Sequence, residues 1–185
     1  MPATFFARDC FARRGGGYSK GMQIDTSTLL PARGNDAVEI LKNDHQVIKG
    51  LLNQLTGATQ SQQRKQVLEQ LKGVLTVHNA TEENLVYPAI DKVGGGKQQA
   101  EHLYHETAEA DMLFFELDSI LKEGEDTAFV EKAKKFHEAV LHHIEEEEGK
   151  AFPHLQENSD AEHSKELADA VREFRKSLHF EAASA

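Results

Sequence analysis

Apolar residues recur every three to four positions along most of this chain, and no stretch shows a sustained alternation of period two. Val38, Leu41, His45, Ile48, Leu52 and Leu55 form the first helical stripe, opened by Asp36 and Glu39 in a capping-box arrangement and closed near Gly57. Leu71, Leu75, His78, Glu82 and Leu85 form the second, which Pro88 ends or kinks because proline has no amide hydrogen to donate. Gly94, Gly95 and Gly96 make a turn, since neither a P-loop nor a dinucleotide pattern surrounds them. The third helix sets His105, Ala108, Met112 and Phe115 on one face, with Glu101 one turn earlier, and breaks at Gly124. The fourth aligns Phe129, Ala133, Phe136, Val140, His143 and Glu147 and stops before Pro153. A cap at Ser159 and Glu162 introduces a shorter fifth helix carrying Leu167, Val171, Phe174 and Leu178.

The predicted fold is all-α: an up-down-up-down four-helix bundle over residues 35–156, because short connections favour antiparallel neighbours. Residues 157–185 are a C-terminal helix and tail. Residues 1–34, with a Gly15-Gly16-Gly17 run and no period, are predicted to be a flexible N-terminal tail, within which Met22 is a second candidate start. An internal repeat makes the bundle a duplicated helical hairpin. His78-x3-Glu82-Glu83-x3-Tyr87-Pro88 recurs as His143-x3-Glu147-Glu148-x3-Phe152-Pro153.

Composition narrows the function. The chain has 185 residues, enough for one core, and its single Cys10 forms no internal disulfide. No apolar run approaches the roughly 18 residues of a membrane span, and no secretory h-region is present, so a cytoplasmic protein is expected. Residues 1–35 hold five basic and two acidic residues, which leaves 16 basic against 29 acidic in 36–185, a net charge of about −13. That body is a poor nucleic-acid surface and a natural host for cations.

Ten histidines are spread along the chain, and four of them, His45, His78, His105 and His143, lie on the seams of the four long helices. Buried imidazole nitrogens need partners. Glu82 and Glu147 stand one turn beyond His78 and His143, on the same face. Side chains of this kind converging inside a bundle make a metal site. Zinc in a structural site would take four ligands, commonly thiolates, while calcium and magnesium prefer oxygen. Six mixed ligands suit two ions of iron, or of manganese, bridged by Glu82 and Glu147. His102 is the alternative to His105, and His142 with Glu146 repeats the His-x3-Glu spacing one residue early. Glu83 and Glu148 are candidates to accept from ligand N–H groups. Tyr104, His137, His154, His163 and His179 have no partner at ligand spacing.

At Asp44-His45, the two His-x3-Glu-Glu-x3-aromatic-Pro segments and His105, the chain resembles the hemerythrin-like family of HHE cation-binding proteins, from about Asp36 to Pro153. The resemblance implies a non-haem di-iron centre with His45, His78, His105 and His143 as terminal ligands and Glu82 and Glu147 as bridges. Where oxygen-carrying members have two histidines four apart on the third helix, this chain has Glu101-x3-His105, which makes Glu101 a seventh candidate ligand. The expected function is binding or sensing of oxygen or a related diatomic ligand. Iron storage or iron response, and a di-iron oxidase, peroxidase or nitric-oxide-handling activity, are the alternatives. A metal-binding protein is expected ahead of an enzyme, because no second catalytic constellation is present.

Overall fold

The computed structural model describes residues 30–124 and 126–183, with side chains as far as residue 178 other than that of residue 126. Cys10, the glycine run, Met22 and the side chain of His179 lie outside the described residues. The described residues form helices α1 (Ala37–Gly57), α2 (Ser61–Thr81), α3 (Tyr87–Lys92), α4 (Lys97–Glu123), α5 (Asp126–Glu146), α6 (Phe152–Glu157) and α7 (Ala161–Ala183), with π-helical segments π1 (Glu82–Val86) and π2 (Glu147–Ala151). The segments α2–π1–α3 and α5–π2–α6 are each continuous, so the described residues form five helical rods.

Asp36 starts α1 by accepting the Glu39 amide at 2.8 Å, while the Glu39 carboxylate turns back to the Asn35 amide at 2.7 Å. Such caps satisfy amides that a helix cannot pair internally and contribute about 1 kcal/mol. The fifth rod begins differently from its expected cap: Asp160, not Ser159, accepts the His163 amide at 2.8 Å. Gly96 is required where α3 turns into α4, because a Cβ there would fall 1.8 Å from the Ile90 carbonyl oxygen. Gly124 closes α4 in the left-handed conformation, with φ 78°.

Both π segments start at a Glu-Glu pair and end just before an aromatic-Pro pair. In each, the aromatic amide bonds the first glutamate's carbonyl five residues back, Tyr87 to Glu82 and Phe152 to Glu147. Pro88 and Pro153 explain the widening, since a proline ring clashes with the carbonyl four residues earlier. The extra residue also shifts the buried face. Val86 and Tyr87 are fully buried, whereas Leu85, next on a strict α period, is only half-buried.

Helices α1, α2, α4 and α5 pack around two apolar layers. One is built on Ile48, Leu52, Leu71, Val74, Leu117 and Phe136, the other on Leu41, Val86, Ile90, Leu103, Phe152 and Leu155. The chain runs from the second layer to the first along α1 and α4, and back along α2 and α5. On each helix one short polar stretch separates the layers: His45, His78, Thr107 and His143. Leu30, the first described residue, is buried in the first layer, five residues ahead of the expected boundary at 35. The fifth rod, α7, lies outside the four and buries Ala168 and Val171 against Ala37 and Ile40 of α1. Among the described residues no helix is long and apolar enough to cross a membrane.

Candidate metal centre

Between the two apolar layers, His45 of α1, His78 of α2, and Glu82 and Glu147, the first residues of π1 and π2, bring one nitrogen or oxygen each to within 4.8 Å of one another. All four side chains are buried. His45 Nε2 lies 3.2 Å from Glu147 Oε2 and 3.9 Å from Glu82 Oε1, and His78 Nε2 lies 3.3 Å from Glu82 Oε1. The two shorter separations match ligand atoms arranged about 2.1 Å from one shared ion, which stand roughly 3–3.5 Å apart, and the third is wider. None of the contacts has hydrogen-bonding geometry. His45 Nε2, His78 Nε2, Glu82 Oε1 and Glu147 Oε2 are all buried without a hydrogen-bond partner. Each such orphan costs about 1–3 kcal/mol unless something satisfies it, and a cation would satisfy all four at once.

The other side of the two carboxylates is occupied by His143 and Tyr87. His143 Nε2 is 3.4 Å from Glu147 Oε1. The Tyr87 hydroxyl sits 2.9 Å from Glu147 Oε1, 3.2 Å from Glu82 Oε2, 3.1 Å from His143 Nε2 and 3.2 Å from Thr107 Oγ1. It has one hydrogen to give, and the shortest of these contacts is to Glu147. In the second repeat the aromatic is Phe152, which stacks on His45 with the ring planes 9° apart. Thus one half of the centre combines a phenylalanine with a histidine, and the other a tyrosine with Thr107.

Each of the three buried histidines turns Nε2 inward and Nδ1 to a carboxylate. His45 Nδ1 meets Glu148 at 2.7 Å, His78 Nδ1 meets Asp44 at 3.2 Å, and His143 Nδ1 meets Glu106 at 3.0 Å. A carboxylate on Nδ1 fixes the tautomer that leaves the Nε2 lone pair for a metal. Without a metal the same geometry retains protons. Burial opposes charge on His45, yet its contacts with Glu147 and Glu82 raise its pKa from 6.5 to about 10. His143 behaves alike: burial opposes its charge, and the Glu147 charge and the Glu106 hydrogen bond raise it to about 10. Glu82 is raised, by burial first and by the Glu147 charge second. Burial also pushes at Glu147, but the two histidines hold it well below the usual carboxylate range.

Two candidate ligands require correction. The side chains of Glu101 and His105 are 67% and 73% exposed; Glu101 faces Lys97, and His105 pairs with Glu109 at 3.3 Å. Helix α4 carries two stripes, and the buried one is Ala100, Leu103, Thr107, Ala110 and Leu117. The face bearing His105, Met112 and Phe115 is exposed. Small residues that let the helices approach closely read weakly in a hydrophobic pattern, so the histidine-bearing face looked like the inner one. His102 does not replace His105; it is half-exposed and pairs with Glu106 at 3.2 Å. His142 is likewise exposed. Of the two candidate acceptors, Glu148 reaches His45, whereas Glu83 lies near Asp111 and meets no ligand histidine.

Sequence reasoning missed Asp44, Glu106, Tyr87 and Thr107 as parts of the site. Asp44 and Tyr87 stood inside motifs and could have been weighed. Glu106 lay within an acidic stretch that reads as solvated. A cavity of about 20 Å³ reaches the centre between α2, α4 and α5, lined by Leu75, Ala110, Val140 and Ile144 and ending on His78 and His143. Its rim includes Asn79 and Asp111, which are joined by a 3.2 Å hydrogen bond.

A bundle whose core is interrupted by histidines and paired glutamates on a duplicated hairpin defines a class of helical cation-binding proteins. The Hemerythrin HHE cation binding domain profile matches residues 36–155, and the chain belongs to that family. A DNA nickase of Nostoc sp. (strain PCC 7120 / SAG 25.82 / UTEX 2576) is 22% identical over 130 residues, covering 70% of this chain and 36% of the relative. The chain therefore spans about a third of that relative's length. No solved structure matches the chain.

Proposed function

We propose that this chain is a non-haem iron protein whose buried centre binds oxygen or a related diatomic ligand. The observation that carries the reading is the set of four orphaned atoms on His45, His78, Glu82 and Glu147 around one point. Those residues would hold one ion. His143, with the second oxygens of Glu82 and Glu147, would hold another, making the two glutamates bridges. The mixture of imidazole and carboxylate suits iron, with manganese the nearest substitute. Bound ferrous iron would supply electrons and a coordination position for the diatomic ligand.

The protein's own part is selection and shelter. A cavity of about 20 Å³ has room for a particle about the size of one water, which suits a diatomic ligand. Its apolar wall of Leu75, Val140 and Ile144 favours a small neutral ligand over an ion. The centre is otherwise sealed by the two apolar layers, which keep bulk water from the carboxylates. The name of the Nostoc relative speaks of DNA cleavage, but the shared part is 36% of that protein. The net charge of about −13 over residues 36–185 also disfavours phosphate binding, so DNA cleavage is not the reading adopted.

The test is anaerobic loading with ferrous ion, metal counting, and optical spectra before and after exposure to oxygen or nitric oxide. About two iron ions per chain and a ligand-dependent absorption band are expected. Uptake of less than one ion, or a spectrum indifferent to both gases, would reject the proposal.

A further inference from the structure

Three carboxylates orient the three buried histidines, and they differ at their outer ends. Glu148 is half-exposed and pairs with Lys49 at 3.2 Å, and Glu106 borders the exposed His102 and His142. Asp44 alone is sealed, and its counter-charge comes from outside the bundle. Arg175 of α7 is 3% exposed. Its Nη1 donates to Asp44 Oδ1 at 3.2 Å, its Nη2 donates to Asp44 Oδ2, and its Nε donates to Thr81 Oγ1 at 3.2 Å. Asp44 Oδ2 in turn accepts from His78 Nδ1, and Thr81 immediately precedes Glu82. One guanidinium therefore braces two of the residues proposed as ligands from behind.

We infer that Arg175 is a positioning residue for His78 and that, through the Arg175–Asp44–His78 chain, docking of helix α7 and metal binding favour each other. The bidentate fork fixes the plane of the Asp44 carboxylate, and that carboxylate fixes the His78 ring with Nε2 inward. Helix α7 depends on the same contact. Among its described residues Ala168, Val171 and Arg175 are buried and Leu167 and Leu178 pack partly buried against the core, so the guanidinium is its one buried charged anchor. A peripheral helix packed against the bundle on one side opens more readily than the bundle itself. When it opens, Asp44 loses two donors and His78 loses its fixed support. By linkage, whatever factor α7 docking adds to metal affinity, metal adds to α7 docking. The C-terminal helix thus becomes an element whose attachment reports whether the centre is loaded.

The inference rests on the metal reading, and the experiment separates the two. Ferrous ion alone is titrated anaerobically against a chromophoric chelator, using the full chain and its Arg175→Met and Arg175→Lys variants. Hydrogen exchange of α7 is followed with and without the ion. In the wild type, metal should slow exchange across α7 by about tenfold or more. Arg175→Met should weaken metal binding by a factor of about 10–100 and abolish the metal dependence of α7 exchange, and Arg175→Lys should recover part of both. A wild type that takes up no metal overturns the metal reading and this inference with it. A wild type that binds metal while α7 exchange is unchanged, or an Arg175→Met variant that binds as tightly as the wild type, overturns this inference alone. Should Arg175→Met fail to fold, the wild-type exchange comparison decides.

Discussion

The Tyr87 hydroxyl lies 2.9 Å from Glu147, a residue of the other repeat, and 3.2 Å from Glu82 of its own. A single phenol therefore ties together the two carboxylates on which the centre is built. Tyr87→Phe should fold, because Phe152 already fills the corresponding place in the second repeat. In the metal-free protein the change removes a hydrogen bond to a charged group and should cost about 1.5–3 kcal/mol. With metal bound, the cation satisfies the carboxylates and the loss should be smaller. Calorimetry of both proteins in both states checks this, and an equal loss with and without metal would contradict it.

Glu147→Gln should lower iron content from about two ions per chain towards one or none, because the carboxylate contacts both proposed positions. His105→Ala and Glu101→Gln should leave iron content unchanged and alter stability by no more than about 0.5 kcal/mol, as expected of exposed positions. Elemental analysis of the three variants, loaded side by side, distinguishes the residues that face inward from those that do not.

Metal affinity should rise steeply with pH. His45 and His143 titrate at about 10 in the metal-free fold, against 6.5 as their ordinary value. Below about 6.5 folded and unfolded chains both hold these protons, and the stabilisation they provide is complete. Between about 6.5 and 10 only the fold keeps them, so the stability of the metal-free protein falls as pH rises. A metal must displace the same protons, and the two histidines together make its affinity climb by about two decades per pH unit within that window. Chelator competition between pH 6.5 and 8 measures the slope. A slope near zero would mean that the histidines are neutral before metal arrives.

Ala110→Leu should slow ligand entry without removing metal. Ala110 lines the 20 Å³ cavity, and three added carbons exceed its volume. The overpacking should cost about 1–3 kcal/mol. Stopped-flow mixing of the iron-loaded variant with nitric oxide should show association at least about tenfold slower than in the wild type, at unchanged iron content. An unaltered rate would direct attention to another route.

Much of this molecule is legible before any coordinates. The stripes on α1 and α5 mark their buried faces residue by residue, because large aliphatic and aromatic side chains leave no ambiguity of phase. The His-x3-Glu repeat gives His78, Glu82, His143 and Glu147 directly, since residues four apart share a helix face. Helix α4 was misread because its inward residues are small and its outward face carries His105, Met112 and Phe115. Asp44, Glu106 and Arg175 escaped for another reason. A buried charge is intelligible only through its partner, and Arg175 is 131 residues from Asp44. Proximity of that kind arises from packing and leaves no local period.

The π segments have a consequence for how this site tolerates change in chain length. Each proposed bridging glutamate sits at a phase boundary, where the helix before it and the helix after it are out of step by one residue, or about 100° of rotation. Deleting a residue within 83–86 would restore an unbroken α-helix, yet it would swing Tyr87 and everything after it around the axis, away from Glu147. Inserting a residue would do the reverse. Pro88 and Pro153 lock the offset from the far side. The centre should accordingly accept substitutions near its glutamates far more readily than a gain or loss of a single residue between each glutamate and its proline.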